Sequence, residues 1–411
     1  MFALPNRSNA MTCNRPQTHN RSASSIRARL RTGISPVDDI VTRLTGKALP
    51  NQQPYFDIRP ELGLAIDAVL LVATFAITVT LAQVLVAAHS LLALIVATAA
   101  LFVAQLVLVG RLRVMQVGHA HYAVHGCYAG GDARTNLVVA HVATIIAIAQ
   151  NPFAYRGDHI DLHHRRSVFG TLADPDAALL HELGFRPGMT RGQLYLVLAR
   201  TLVSPSFHAM FLAARLQSNL VDAPVWRRLV VATWLAALLS SAWLLGLIVW
   251  GLAVFLPFVV LYANSALLQF LTEHKWMAGD LPRGDNQAYA DRSHARIALA
   301  PMPLSHQALV PACIAWSVWT VRQIGELLFR LSVTVGDLTV HDFHHLHGLC
   351  KEPVSNWIQI AFVRQSAIDK GDKLKLAERE TVGAFASLNW VFEGLKHSPV
   401  AIAARPSVTE S

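Results

Sequence analysis

Two long stretches of this 411-residue chain almost lack charge. From Leu62 to Gly110 the only ionisable side chains are Asp67 and His89, and from Leu229 to Thr272 no Asp, Glu, Lys or Arg occurs. In lipid every backbone N–H and C=O must be satisfied within the structure, so such a run folds as helix. One span takes about 20 apolar residues, so each stretch holds two. Breaks are expected near His89–Ser90 and Trp250–Gly251, giving spans at 62–88, 91–110, 229–249 and 251–271. The expectation is an all-α integral-membrane protein with four transmembrane helices in two hairpins. A composition of 53% hydrophobic and 15% charged residues is too apolar for an ordinary soluble enzyme.

Charge placement orients the spans. Residues 1–61 carry nine Arg and Lys, Arg111–Arg228 carries more, and the hairpin tips near His89 and Trp250 carry none. By the positive-inside rule the N-terminus, the middle segment and the C-terminal segment are expected in the cytoplasm. The net charge of +9 is not a nucleic-acid signal, because no basic groove interleaved with aromatics is visible. The first 37 residues contain six Arg and no acid, and they lack the apolar core of a secretory signal. Residues 1–55 read as a disordered basic tail attracted to anionic lipid. Residues 56–365 read as the membrane domain and 366–411 as a C-terminal cytoplasmic tail. Thr135–Gln150 is apolar but short for a span, and Pro311 interrupts the apolar stretch near Leu309–Val321.

Four scattered cysteines, Cys13, Cys127, Cys313 and Cys350, form no CxxC and argue against a disulfide framework or a thiolate metal site. Histidine is distributed differently. Ten of the 19 histidines fall in three short windows: His119, His121 and His125; His159, His163 and His164; and His341, His344, His345 and His347. Imidazole is the commonest protein metal ligand and suits iron, copper and zinc. Residues four apart share a helix face, so HxxxH at 121–125, HxxxHH at 159–164 and HxxHH at 341–345 can each aim nitrogens inward. Eight such ligands exceed what one tetrahedral zinc uses and suit two metal ions with positions open for oxygen. An even number of spans separates the three clusters, so all would lie on the cytoplasmic side.

At these motifs the chain resembles the integral-membrane fatty acid desaturase and hydroxylase superfamily, over roughly residues 60–365. Gly118–Gly126 is similar to the first histidine box of that family, and Asp158–Arg166 followed by Asp174-Pro-Asp176 is similar to the second. The resemblance implies a non-haem di-iron centre, two iron ions held by His121, His125, His159, His163, His164, His341, His344 and His345. Within the first box His119 is an alternative to His121. A further histidine after the last span often completes the set, and His274, next to Glu273, stands there. The asparagine that some members carry one turn earlier is replaced by Phe270.

The resemblance further implies molecular oxygen as co-substrate and removal of hydrogen from a membrane lipid or acyl chain. The same ligands serve desaturation and hydroxylation of alkyl, sterol or carotenoid substrates. The chain has no Gly-rich dinucleotide fingerprint, cysteine cluster or HPGG segment. A separate electron donor is therefore expected: ferredoxin, rubredoxin or cytochrome b5 with its reductase. Asp158, Asp161, Asp174, Asp176 and Asp342 are candidates to orient ligand imidazoles. His347 reads as solvated or as a partner to a ligand. The isolated His89, His141, His208 and His397 read as structural, and His181-Glu182 lacks the second histidine of a zinc protease motif. Metal transport is disfavoured because the spans hold almost no ionisable ligand.

Overall fold

A computed structural model describes residues 22–281, 284–303, 308–347 and 355–399. Cys350 and the first 21 residues of the basic tail, Cys13 among them, lie outside the described residues. The described chain is helical apart from two three-residue strands, β1 (Ala295–Ile297) and β2 (Glu380–Val382), which pair in parallel.

The N-terminal segment corrects the expectation of disorder through residue 55. Residues 23–29 form α1 (Ala23–Arg29) and residues 35–45 form α2 (Ser35–Thr45), which ends on the left-handed Gly46. Composition misled here because the segment is held by polar groups rather than an apolar stripe. Arg27 is fully buried, with Nε donating to Lys47 O at 3.1 Å and Nη2 to Asp38 O at 2.8 Å. Buried polar groups that satisfy one another can order a segment of low hydrophobicity.

Among the described residues, four helices are long and apolar enough to cross a membrane: α3 (Pro60–Val86), α4 (Leu91–Val124), and two later helices. Pro60 starts α3 where a missing N–H costs nothing. The Ser90 hydroxyl caps α4 by accepting from Ala93 N at 3.2 Å. Between α4 and the second pair come α5 (Ala133–Ile146), α6 (Pro152–Arg156), α7 (Pro175–Glu182), α8 (Arg191–Leu202) and α9 (Pro205–Leu220). The α8–α9 pair bends by 66° and is the one further candidate span. The second apolar stretch holds α10 (Val225–Leu245) and α11 (Leu247–Phe270).

The break between α10 and α11 falls at Gly246, not at Trp250–Gly251. Gly246 adopts φ 77° and ψ 149°, a conformation that essentially only glycine reaches. Pro257 produces no break either, because Gly251–Leu261 winds as π-helix and absorbs the lost N–H. Inside this bundle the Gln105 amide donates to Leu252 O at 2.8 Å, tying α4 to α11.

Pro311 sits in the first turn of α12 (Leu309–Ser332), where it starts the helix rather than interrupting it. This helix crosses α4 so closely that a Cβ on Gly110 would lie 1.6 Å from Leu331 O. Gly110→Ala must push the two helices apart. We expect a loss of about 1–3 kcal/mol, of the size of core overpacking, seen as a lower thermal midpoint; an unchanged midpoint would contradict the crossing.

Residues 366–399 are likewise not a tail. After α13 (His341–Leu346), α14 (Ile360–Asp369) and β2, helix α15 (Ala384–His397) buries Leu388, Val391, Phe392 and Leu395. That is an i, i+3, i+4, i+7 stripe, packed in one core with Leu194 and Leu198 of α8. Glu326 of α12 accepts the Ala384 N–H at 2.8 Å, and burial pushes its carboxyl up to about 7. Its unfolded value is about 4.3, so between the two the folded protein keeps a proton that the unfolded chain releases. This group therefore makes stability fall as pH rises from about 4.3 to about 7. Thermal midpoints across that window should show a shallower pH slope in Glu326→Gln; an identical slope would contradict it.

Candidate metal centre

The histidines arrive at one place because four separate elements end there. The first box lies at the end of α4, where Met115–Ala120 is π-helical. The second box continues α6 as a π-helix over Gly157–His163. The third is α13, and His274 follows α11. π-Helical turns are rare and concentrate at functional sites.

Among the described residues, two all-histidine groups of candidate ligand atoms result. His121, His125, His159, His164 and His344 form one, and His163, His274, His341 and His345 the other; within each, the candidate ligand atoms lie within 4.8 Å of one another. Each of the second and third boxes contributes to both groups. The i,i+4 pair His159 and His163 therefore divides between the two points, contrary to the simple α-helical expectation. The cause is the π winding: His164 N–H donates to His159 O at 2.9 Å, an i,i+5 bond that brings those two rings together, 4.5 Å between centroids.

In the first group four Nε2 atoms form a closed circuit. The separations are 3.3 Å for His121–His159, 3.0 Å for His159–His164, 3.0 Å for His164–His344 and 3.0 Å for His344–His121. Nitrogens packed this closely around one point suit a shared metal ion. Burial holds these rings neutral, the form that ligates. His159, His164 and His344 are pushed well below the usual imidazole range by desolvation and then by neighbouring imidazoles, and His125 is lowered to about 3.

In the second group the far side of each ring is held. His163 Nδ1 lies 3.0 Å from Asp174 Oδ2 and 3.6 Å from Asp176 Oδ2. His274 Nδ1 meets Ser293 Oγ at 3.0 Å, and His345 Nδ1 meets the Tyr289 hydroxyl at 3.3 Å. Among the described residues, the Nε2 atoms of His274 and His345 are buried without a hydrogen-bond partner, as is His341 Nδ1. His341 Nε2 lies 3.2 Å from Glu273 Oε1. Burial lowers the His163 imidazole, but Asp174, Asp176 and Glu273 outweigh it and set the ring at about 9. Such outer partners fix the tautomer and direction of a ligand, and losing one costs about 10–100-fold in metal affinity. Asp174→Asn is expected to show a loss of that size in a chelator competition; unchanged metal retention would contradict the orienting role.

His119 belongs to neither group. Its Nε2 is 2.9 Å from Asp67 Oδ2 and its Nδ1 meets the Tyr128 hydroxyl. His347 stacks on Phe343, 4.0 Å between centroids. Asp158 bonds the Gln150 amide at 2.5 Å and Asp342 pairs with Arg364 at 2.8 Å, so neither holds a ligand ring directly. His141, His208 and His397 bond to Arg227, Leu202 O and Glu393. Sequence reasoning missed Tyr155, Tyr289, Ser293 and Gln269. Ser293 is also held to His274 by an antiparallel backbone bridge that only the fold creates.

A cavity of about 130 Å³ opens beside the histidines, lined by His121, His159, His163 and His341 and by Arg113, Gln116, Gln269 and Glu273 among others. Gln269 bridges its wall, taking a hydrogen bond from Arg113 and donating to Glu273 at 3.1 Å.

Among curated proteins and solved structures no match emerges. A family model, that of the fatty acid desaturases, matches residues 97–303, just over half of the 411 residues. It covers the first two boxes and His274; the third box lies beyond it and reaches the site through the fold. With its four candidate spans and its converging histidine groups, the chain belongs to the fatty acid desaturase family, whose members are non-haem iron enzymes.

Proposed function

We propose that this protein is a membrane-bound, oxygen-dependent di-iron desaturase that introduces a double bond into a fatty-acyl or lipid chain. The observation that carries the reading is the division of nine histidines, six of them buried and three half-buried, into groups of five and four. Two octahedral cations would fill such groups and leave positions open, whereas two zinc ions would need only eight ligands in all. His121, His125, His159, His164 and His344 would hold one iron, and His163, His274, His341 and His345 the other. Iron held there would supply the activation of oxygen that amino-acid side chains cannot provide.

The chain's own residues supply placement. Asp174, Ser293 and Tyr289 hold the outer nitrogens of His163, His274 and His345, which keeps the inner nitrogens aimed at a common point. Glu273 is held by Gln269 and by Arg296 at 3.5 Å, so the carboxylate beside His341 is itself fixed. Gln269 and Arg113 carry the polar wall from the histidines to α4 and α11. The four spans would form two hairpins carrying the helical cap that holds the metal site. By the Arg and Lys distribution, that cap and both termini face the cytoplasm. Electrons would come from a separate ferredoxin, rubredoxin or cytochrome b5 docking on the basic cytoplasmic surface.

Hydroxylation is the second reading, favoured by the polar wall, which offers Gln116, Gln269 and Glu273 to a product hydroxyl. Comparative lipid and metabolite profiling of a host with and without the intact gene separates the two. A desaturase yields a product lighter by two hydrogen atoms, and a hydroxylase one heavier by an oxygen atom. Profiles that do not differ at all, with folded iron-loaded protein present, would overturn both.

A further inference from the structure

A second cavity, of about 190 Å³, lies on the other side of the first box, lined by Arg43, Arg111, Arg330, Asp67, Ile66 and Trp357 among others. Its charge is unbalanced. Arg43 is paired with Asp39 at 2.5 Å and is not in surplus. Arg111 Nη1 binds Asp67 Oδ1 at 2.5 Å, but Asp67 also takes His119 on its other oxygen. Arg330 forms no ion pair among the described residues. Its Nη2 donates to Gly336 O at 2.8 Å and Arg43 O at 3.1 Å, and its Nη1 to Thr334 O. The Nε atoms of both Arg111 and Arg330 are buried without a hydrogen-bond partner among the described residues.

Arg111 thus shares its carboxylate with His119, Asp337 acts on Arg330 only from beyond ion-pair distance, and each guanidinium keeps an unused donor. Taking like charges out of water without a counter-charge is costly, and an orphaned charged donor adds to that cost. Burial, followed by the charge of Arg111, lowers Arg330 to about 10, as expected for neighbouring cations. The cavity is large enough for an anion of phosphate size, a water occupying about 30 Å³ of liquid.

The position of the cavity narrows the anion to one carried by an amphiphile. Arg111 lies where the apolar run of α4 gives way to charge. Ile66 on the cavity wall is 40% exposed, continuous with exposed Leu62 and Val69 on the flank of α3 that lipid would cover. Arginine binds phosphate and carboxylate through its planar fork, and cationic clusters at this depth meet anionic headgroups. We propose that the Arg111–Arg330 cavity binds the anionic headgroup, phosphate or carboxylate, of an amphiphile resident in the membrane. The site shares no residue with the two histidine groups, so it stands or falls independently of the metal chemistry.

The test uses the full chain in phosphatidylcholine nanodiscs, supplied separately with phosphatidylglycerol or palmitate, and native mass spectrometry of the released protein. Retention of one added amphiphile per protein above the phosphatidylcholine background is expected. Retention of phosphatidylglycerol assigns the site to a bilayer lipid, and retention of palmitate assigns it to a free acid. Arg330→Gln removes the surplus charge, and Ile66→Trp fills the cavity from its lipid-facing side without touching a charge. Each should weaken retention about tenfold or more, the scale of one charge-assisted hydrogen bond. Circular dichroism of both variants confirms which are folded, and Ile66→Trp carries the test if Arg330→Gln fails to fold. Retention of neither amphiphile, or unchanged retention in a folded variant, would overturn the proposal.

Discussion

His344→Ala is expected to release iron and abolish turnover. The His344 Nε2 atom stands 3.0 Å from both His121 and His164, so one substitution opens two sides of the four-nitrogen circuit. Loss of an outer partner alone costs about 10–100-fold in metal affinity, so removing this ligand should cost more than about 100-fold. Metal analysis after gel filtration and a parallel oxygen-uptake assay read the effect. His347→Ala, one turn along and stacked on Phe343, should keep its iron and serves as the matched control. His119→Ala separates the two readings of the first box: the geometry expects metal to be retained, because His119 is engaged by Asp67 and Tyr128. A His344→Ala protein with its full metal content would contradict the assignment.

The second large effect is expected at a residue that belongs to no sequence motif. Arg364 is buried, with Nη2 2.8 Å from Asp342 and Nη1 2.7 Å from Glu380, and Lys47 Nζ adds a contact to Glu380 at 2.6 Å. Asp342 lies between His341 and His344, so this network anchors the third box to the N-terminal segment and to β2. Arg364→Met leaves two buried carboxylates with one cation between them, and breaking a buried pair in this way costs about 3–5 kcal/mol. Thermal unfolding in detergent should show a large drop. Combining Arg364→Met with Asp342→Asn should cost less than the sum of the separate changes, since the two residues are directly coupled. Strictly additive losses would show that the pair does not act as a unit.

The membrane helices were legible in the sequence because lipid imposes a simple rule on long uncharged runs. Their ends were less so. The break at Gly246 depended on a backbone conformation that only glycine supplies, whereas hydropathy alone pointed four residues further on. The histidine clusters were legible as metal-binding from their spacing, but their division was not. It follows from π-helical winding at 115–120 and 157–163, which shifts the face on which His159 and His164 meet.

The terminal segments were misread for a different reason. Arg27, Asp38 and Asp39 look like solvated polar residues, and Arg364 and Glu380 look like part of a tail. Their partners lie up to hundreds of residues away, as Lys47 and Glu380 do, and no local pattern reports such a pairing. Tyr155, Tyr289 and Ser293 were invisible on the same ground: each meets a ligand histidine only after the chain has folded.

Metal content, measured together with oxygen consumption on the purified, membrane-reconstituted protein, tests the central claim most directly. Groups of five and four converging imidazoles predict about two irons per chain, on the coordination numbers that octahedral ions take, with oxygen uptake that depends on a reductant. Stoichiometric zinc with no oxygen uptake would contradict it.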